Sequence, residues 1–332
     1  MPRGPKTLDI DEDERFMARV AWAYYVEGLT QGAVAEKLGV TRLRVNKALA
    51  EARRTGLVRI TLSSAFAPCL ELEAGLKAAF GLAEVHVVPA PERADDVATM
   101  VGTALGHLLS HVLADREIRL FGMSWGNTLN IATRHVEPIG RPDLEIVSVM
   151  GGTTRGSDVS SFEITTRLAD LFNARHSYFP APLYASSQQS RDIIVGQDVF
   201  TEVLEKIRQV DALAMAVGDL SNRALLIRDG LPSDISLDSL RAAGGVGDLL
   251  GTVLDADGAP IDHPINQRLI GIDYGDLRNV PNVILASGGL HKAPIIKAVL
   301  KLGVVDTFVT DEATAAAIMA PHPDGGAARN NP

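Results

Sequence analysis

Residues 30–54, TQGAVAEKLGVTRLRVNKALAEARR, describe two short helices broken by a tight turn. With Gln31 as the first position, small Ala35 falls fifth, Gly39 ninth and Val45 fifteenth, the register of a helix-turn-helix. Ala35 is small enough for the second helix to cross closely, Gly39 suits the left-handed backbone of the turn, and Val45 returns apolar surface to a small core. Val34, Leu38, Val40, Ala48 and Leu49 fill the remaining inward positions at helical spacing. Thr41 is the expected N-cap of the second helix. Its outward face carries Arg42, Arg44, Asn46 and Lys47, with Arg53 and Arg54 at its end, side chains that reach base edges and phosphates. Between Lys37 and Arg59 seven Lys or Arg face one acid, Glu51, a local net charge of +6 on a chain whose total is −9. A charge run alone describes only a solvated helix face, but this one coincides with the Ala, Gly and Val register, so it is expected to bind DNA through Thr41, Arg42, Arg44, Asn46, Lys47 and Arg53.

The overall acidity argues against nonspecific coating of nucleic acid and confines binding to that basic island. At 332 residues and 46% hydrophobic composition, the chain is long enough for one small and one large domain. One cysteine, Cys69, excludes an intrachain disulfide framework and a Cys-rich zinc site. The eight histidines are read as scattered, so no metal site is expected, nor any cofactor. With no signal-peptide core and no apolar run of membrane-spanning length, the expectation is a cytoplasmic protein that does not engage membrane.

Four segments are expected: a helix-turn-helix domain over residues 1–62, a linker and connecting helix over 63–82, an α/β domain over 83–320, and a flexible tail over 321–332. A polar arm runs to about residue 12, and a first helix follows with Val20, Ala21, Tyr24 and Tyr25 on one face. Gly56 ends the basic helix, and LVRITL (57–62) alternates as a strand would. Beyond the linker, strands are expected at 84–88, 117–122, 145–151, 212–218, 251–255, 282–288 and 304–310. Helical spacing recurs over 97–114, 160–173 and 292–302. Several strands are nearly continuous apolar runs, the mark of a mostly parallel sheet covered on both faces. Ligands of such sheets sit beyond the carboxyl ends of the strands.

The loops expected there are GMSWGNT (122–128), MGGTTRG (150–156), VGDLSN (217–222) and ASGGLHK (286–292). Glycines let backbone approach a ligand, hydroxyls suit sugar hydroxyls, and Arg155 and Lys292 suit a phosphate. Four such loops on one sheet point to a small polar ligand rather than to chain turning alone.

LTQGAVAEKLGVTRLRVNKALAEARRTGLVRI resembles the DNA-binding end of bacterial SorC/DeoR-type regulators. The resemblance extends through LAEVHVV, GMSWGNTL, MGGTT, FPAPLYAS (179–186), VGDL, GDLLGTVLDADGAPI (247–261) and the stretch 286–315, covering about residues 15–320. Within that family the chain looks similar to regulators of polyol operons, such as that of erythritol catabolism. The resemblance implies an effector domain related in fold to sugar-phosphate isomerases and deaminases, without their catalysis, and a dimer or tetramer on operator DNA. It also implies that Ser124, Gly126, Asn127 and Thr128 form part of an effector site. Gly151, Gly152, Thr153 and Asp219 would stand around them, together with Gly288, Gly289 and Lys292.

Two enzymatic readings compete. Residues 122–126, GMSWG, match the G-x-S-x-G nucleophile elbow, with Ser124 as nucleophile and His263 or His291 late enough to serve as base. Alternatively Asp219 or Asp248 acts as base in an active isomerase-like site. Neither requires an N-terminal DNA reader, so a regulator without catalytic residues is the expectation.

Overall fold

Thr30 and Thr41 both adopt extended backbone, and their hydroxyls accept hydrogen bonds from the amides of Ala33 and Arg44, each at 3.3 Å. These caps start the two helices the sequence calls for. The structure, a computed structural model, describes residues 12–58, 64, 66–153 and 160–320. The chain divides into two units, residues 1–64 and 65–332.

In the first unit α1 (Glu12–Ala21) precedes α2 (Gln31–Leu38) and α3 (Arg42–Arg54). Gly39 closes α2 at φ +63°, a left-handed conformation that costs an L side chain about 1 kcal/mol or more. Val20, Ala23, Val34, Ala35, Val45, Ala48 and Leu49 form the unit's core. One departure lies in the first helix, where residues Trp22–Val26 wind as a π-helical turn. The extra residue per turn rotates the chain relative to a 3.6-residue period, so Ala23 turns inward and Tyr25 is exposed, against the expected face. Most of the expected strand at 57–62 and the polar arm before residue 12 lie outside the described residues.

The second unit opens with α4 (Ala67–Phe80), the expected connecting helix, in which Cys69 is buried. The chain continues through β1 (Glu84–Val88), α5 (Val97–Val112), β2 (Leu120–Met123), α6 (Asn127–Ala132), β3 (Glu145–Ser148), α7 (Ser161–Phe172) and β4 (Arg175–Ser177). It then forms α8 (Gln188–Val195), α9 (Asp198–Ile207), β5 (Ala212–Met215), β6 (Val217–Asp219), α10 (Leu237–Ala242), β7 (Gly247–Leu249) and β8 (Thr252–Leu254). β9 (Val283–Ala286), α11 (Ala293–Lys301), β10 (Thr307–Asp311) and α12 (Glu312–Met319) complete it.

Seven strands form one parallel sheet in the order β1-β10-β9-β5-β2-β3-β4. Every residue of β3, β5, β9 and β10 is buried, so both faces of the sheet are covered and its apolar runs need no alternation. β6, β7 and β8 form a separate antiparallel sheet. The run 212–218, read as one strand, therefore divides between two sheets, and residues 251–255 join the antiparallel one. β7, only three residues long, carries no strand signal of its own in the sequence, whereas His176 of β4 lies in a strand-like stretch.

The order of the main sheet reverses between β2 and β5. From β2 the chain proceeds to β3 on one side, and from β5 to β9 on the other. Such a reversal leaves a crevice at the carboxyl ends of the two neighbouring strands.

Candidate functional site

In the first unit, the buried residues of α3 are Val45, Ala48, Leu49 and Ala52, which leaves Thr41, Arg42, Arg44, Asn46, Lys47 and Arg53 exposed. These side chains are not equally free. The Thr41 hydroxyl is engaged in capping, and Arg53 donates through Nε to the Leu49 carbonyl of its own helix at 3.4 Å. The Arg44 guanidinium lies over the Phe16 ring, 4.6 Å from its centroid, a cation–π contact that orients it against α1. Arg54 donates from Nε to Glu51 Oε2 at 2.8 Å, which lowers the Glu51 carboxyl below its ordinary value. Asn46 and Lys47 remain as exposed polar side chains opposite the core.

In the second unit, a cavity of about 520 Å³ opens at the carboxyl ends of β2 and β5. The loop leaving β2 contributes Ser124, Gly126, Asn127 and Thr128; β6 contributes Asp219, and the loop after β9 contributes Gly288 and Lys292. Ser124 is 1% exposed, its amide still pairing with the Ala214 carbonyl at 3.0 Å, and its Oγ has no hydrogen-bond partner. A buried hydroxyl left unpaired costs about 1–3 kcal/mol, so it marks a position where a ligand's polar atom would be rewarded.

Opposite it, Asp219 and Asp248 are 8% and 5% exposed. Their strands pair with Gly218 facing Asp248, and a Cβ at Gly218 would stand 2.2 Å from Asp248 Oδ1, so this carboxylate can pack there only against glycine. Asp248 Oδ2 accepts a hydrogen bond from the Gly251 amide at 3.1 Å. Burial nevertheless raises its pKa to about 6, with the neighbouring Asp219 charge adding to the rise and Lys292 opposing it. Burial likewise lowers the Lys292 ammonium, against the attraction of Asp219 and Asp248. Lys292, these two carboxylates and the unpaired Ser124 hydroxyl thus share the cavity with Asp95, a set that can recognise several hydroxyl groups and a negative charge on one small molecule.

Other expected site residues are placed elsewhere. Gly151, Gly152 and Thr153 do not line this cavity. Gly152 donates to the Ala181 carbonyl at 2.9 Å and its own carbonyl accepts from Leu183 at 2.7 Å, while a Cβ on Gly151 would meet the Pro182 carbonyl oxygen at 2.5 Å. The small size of Gly151 serves close packing against the FPAPLYAS segment, and that of Gly152 close packing against the Phe162 ring. The Gly289 amide is already taken by Asp311 Oδ2 at 3.0 Å and Thr314 Oγ1 at 2.7 Å. Arg155 lies outside the described residues. The cavity also contains Trp125, Arg223, Arg228 and His291, which the sequence reading did not assign to an effector site. Trp125 and His291 sit inside the quoted loops and were within reach of that reading. Arg223 and Arg228 follow β6 in a stretch without a glycine signal until Gly230.

The nucleophile-elbow reading lacks its base. Ser124 Oγ has no hydrogen-bond partner, and His263 Nδ1 instead accepts from the Ile265 amide at 3.2 Å as a turn cap. The histidines are not all scattered: His107 and His111 stand four apart, both exposed, on α5. Among the described residues, no group of three or more His, Cys, Asp and Glu is placed to share a metal ion. No described helix is long and apolar enough to cross a membrane.

Comparison with known proteins bears on both units. The sugar-binding domain family Sugar-bind matches residues 64–320. Transcriptional regulator LsrR of Escherichia coli O139:H28 is 33% identical over 312 residues, 92% of this chain and 95% of the relative. Erythritol catabolism regulatory protein EryD of Brucella abortus is 28% identical over 314 residues, 93% of this chain and 98% of the relative. Among solved structures, a DeoR family transcriptional regulator from Listeria monocytogenes superposes with a TM-score of 0.68 at 25% identity, covering 75% of this chain and 98% of that one. The full-length sorbitol operon regulator SorC from Klebsiella pneumoniae gives a TM-score of 0.68 at 23% identity, covering 93% of this chain and 100% of that one, and so shares the fold. These relatives are regulators rather than enzymes, and their likeness spans the helix-turn-helix as well as the α/β unit: the chain belongs to the SorC/DeoR family of sugar-binding transcriptional regulators.

Proposed function

We propose that this regulator controls a carbohydrate or polyol catabolic operon in the cytoplasm, and that a small sugar, sugar phosphate or polyol in the cavity at β2 and β5 sets its affinity for operator DNA. The observation that carries this reading is the juxtaposition of Ser124, Asp219, Asp248 and Lys292 around one cavity at the point where strand order reverses. Lys292 and the α6 amides at Asn127 and Thr128 suit an anionic group, whereas the two carboxylates suit ligand hydroxyls.

A ligand alters operator affinity only if it binds one arrangement of the protein better than another. One reader helix touches a few base pairs, so a dimer or tetramer presenting paired readers is the form proposed to bind DNA. The experiment is a thermal-shift screen of the full chain against polyols, pentoses and their phosphates, with Lys292→Ala beside the wild type. The expected result is a raised midpoint for one ligand class, returned chemically unaltered, a reduced shift in Lys292→Ala, and intact operator binding by the unliganded variant. An equal shift in the variant removes Lys292 from the effector site.

A further inference from the structure

Leu43 is 65% exposed, and no other large hydrophobic side chain among the described residues is more so. It occupies the first turn of the basic helix, between Arg42 and Arg44. A helix advances about 100° per residue, so the inward set Val45, Ala48, Leu49 and Ala52 fixes the opposite face as Leu43, Lys47, Ala50 and Arg54, spaced four, three and four apart. Leu43 therefore stands on the axis of the face that points away from this unit's core, with Asn46 and Lys47 beside it. By contrast Arg44, drawn over Phe16, stands to one side.

An apolar side chain held among cations is poorly served by water and by most protein surfaces. A protein partner that covered Leu43 would also strip water from Arg42 and Lys47, a desolvation cost, while Glu51, on the flank, is committed to Arg54. The DNA major groove meets both demands, because phosphates line its rim and thymine alone among the bases presents a methyl group on its floor. Residues in the first turn of a reader helix are those that reach base edges.

We propose that Leu43 is a specificity-determining residue that reads thymine through its C5-methyl group, while Asn46 and Lys47 supply hydrogen bonds and phosphate contact. This rests on the reading of α3 as the DNA-binding helix, and the test separates the two. Full-length protein selects duplexes from a random-sequence pool, and each thymine of the enriched sequence is then replaced singly by deoxyuridine. That change deletes the methyl group and keeps every hydrogen-bonding atom. Wild-type protein is expected to lose about fourfold in affinity at one position of each half-site, the worth of one buried methyl group. Leu43→Ala, whose exposed position leaves folding undisturbed, is expected to bind the thymine duplex more weakly and to show no further loss on deoxyuridine at that position.

If wild type tolerates every deoxyuridine, or if Leu43→Ala retains the full loss, the assignment of Leu43 is overturned while DNA reading by α3 stands. A pool that yields no enriched sequence overturns the DNA-reading proposal and Leu43 with it. A change in the mass of the DNA-free protein on Leu43→Ala, measured by sedimentation, would place Leu43 in a protein interface and equally overturn the assignment.

Discussion

Replacing Asp248 by Asn tests whether the cavity at β2 and β5, the proposed effector site, is held at a cost to the fold. Asp248 ionises at about 6 in the folded unit against 3.8 for the free side chain, chiefly because burial disfavours its charge. Below pH 3.8 both folded and unfolded chains keep the proton, and ionisation of Asp248 contributes nothing to stability. Between 3.8 and about 6 the unfolded chain has released it while the folded chain still holds it, so stability falls as pH rises. Above about 6 the penalty is complete, roughly 3 kcal/mol at about 1.4 kcal/mol per pH unit.

Asn carries no charge and still offers an oxygen to the Gly251 amide. Lys292 loses one attractive neighbour in the variant, which offsets part of the gain. Asp248→Asn is therefore expected to exceed wild type by about 1–3 kcal/mol at pH 8, with the difference closing toward pH 4. The assay is urea unfolding followed by Trp125 fluorescence, in a Trp22→Phe background that makes Trp125 the sole tryptophan of a chain with two. A difference that is the same at every pH, or a variant less stable than wild type at pH 8, would refute the electrostatic account. A gain in stability accompanied by a weaker effector response would show that the carboxylate is kept for recognition.

Two further predictions follow from other parts of the chain. Arg141 is 1% exposed and donates to the carbonyls of Leu113 and Asp115 at 2.7 Å and of Ile118 at 2.8 Å, besides pairing with Asp143. Arg141→Met strands these oxygens between α5 and β2 and is expected to cost about 3–5 kcal/mol in the same unfolding assay, whereas a loss under 1 kcal/mol would mean that water replaces the guanidinium freely. In anisotropy titrations across salt concentrations, Asn46→Ala is expected to relax preference at one base position by about 1–3 kcal/mol, and Lys47→Ala to lower the salt slope by about one; unchanged binding in both would exclude this face of α3 from the groove.

What could be read from the residues followed from how local the signal was. The Ala35, Gly39 and Val45 register and the Thr41 cap lie within a few turns of one another, so the two helices and their turn were visible without tertiary information. The one local failure, Tyr25, came from assuming a constant helical period through Trp22–Val26. Buried parallel strands showed as apolar runs, yet the run 212–218 gave no sign that Ala216 separates two sheets. Strand pairing is set by partners distant in sequence.

The same division holds at the cavity. Glycine-rich loops after β2 and β9 and Asp219 after β5 were apparent, because backbone that must turn or approach a ligand restricts residue type. Whether Gly151 makes room for a ligand or for Pro182 depends on what the fold brings against it, and here it is Pro182. Sequence alone determined the helix-turn-helix, the parallel α/β class and the residue types available for a polar ligand, because these rest on periodicity and backbone preference. Only the tertiary structure decided which of those residues share a cavity, that Asp248 and Lys292 act on one another within it, and that Arg44 is drawn over Phe16 instead of standing free on α3. Burial and charge proximity belong to contacts between segments far apart in the chain, and no local pattern encodes them.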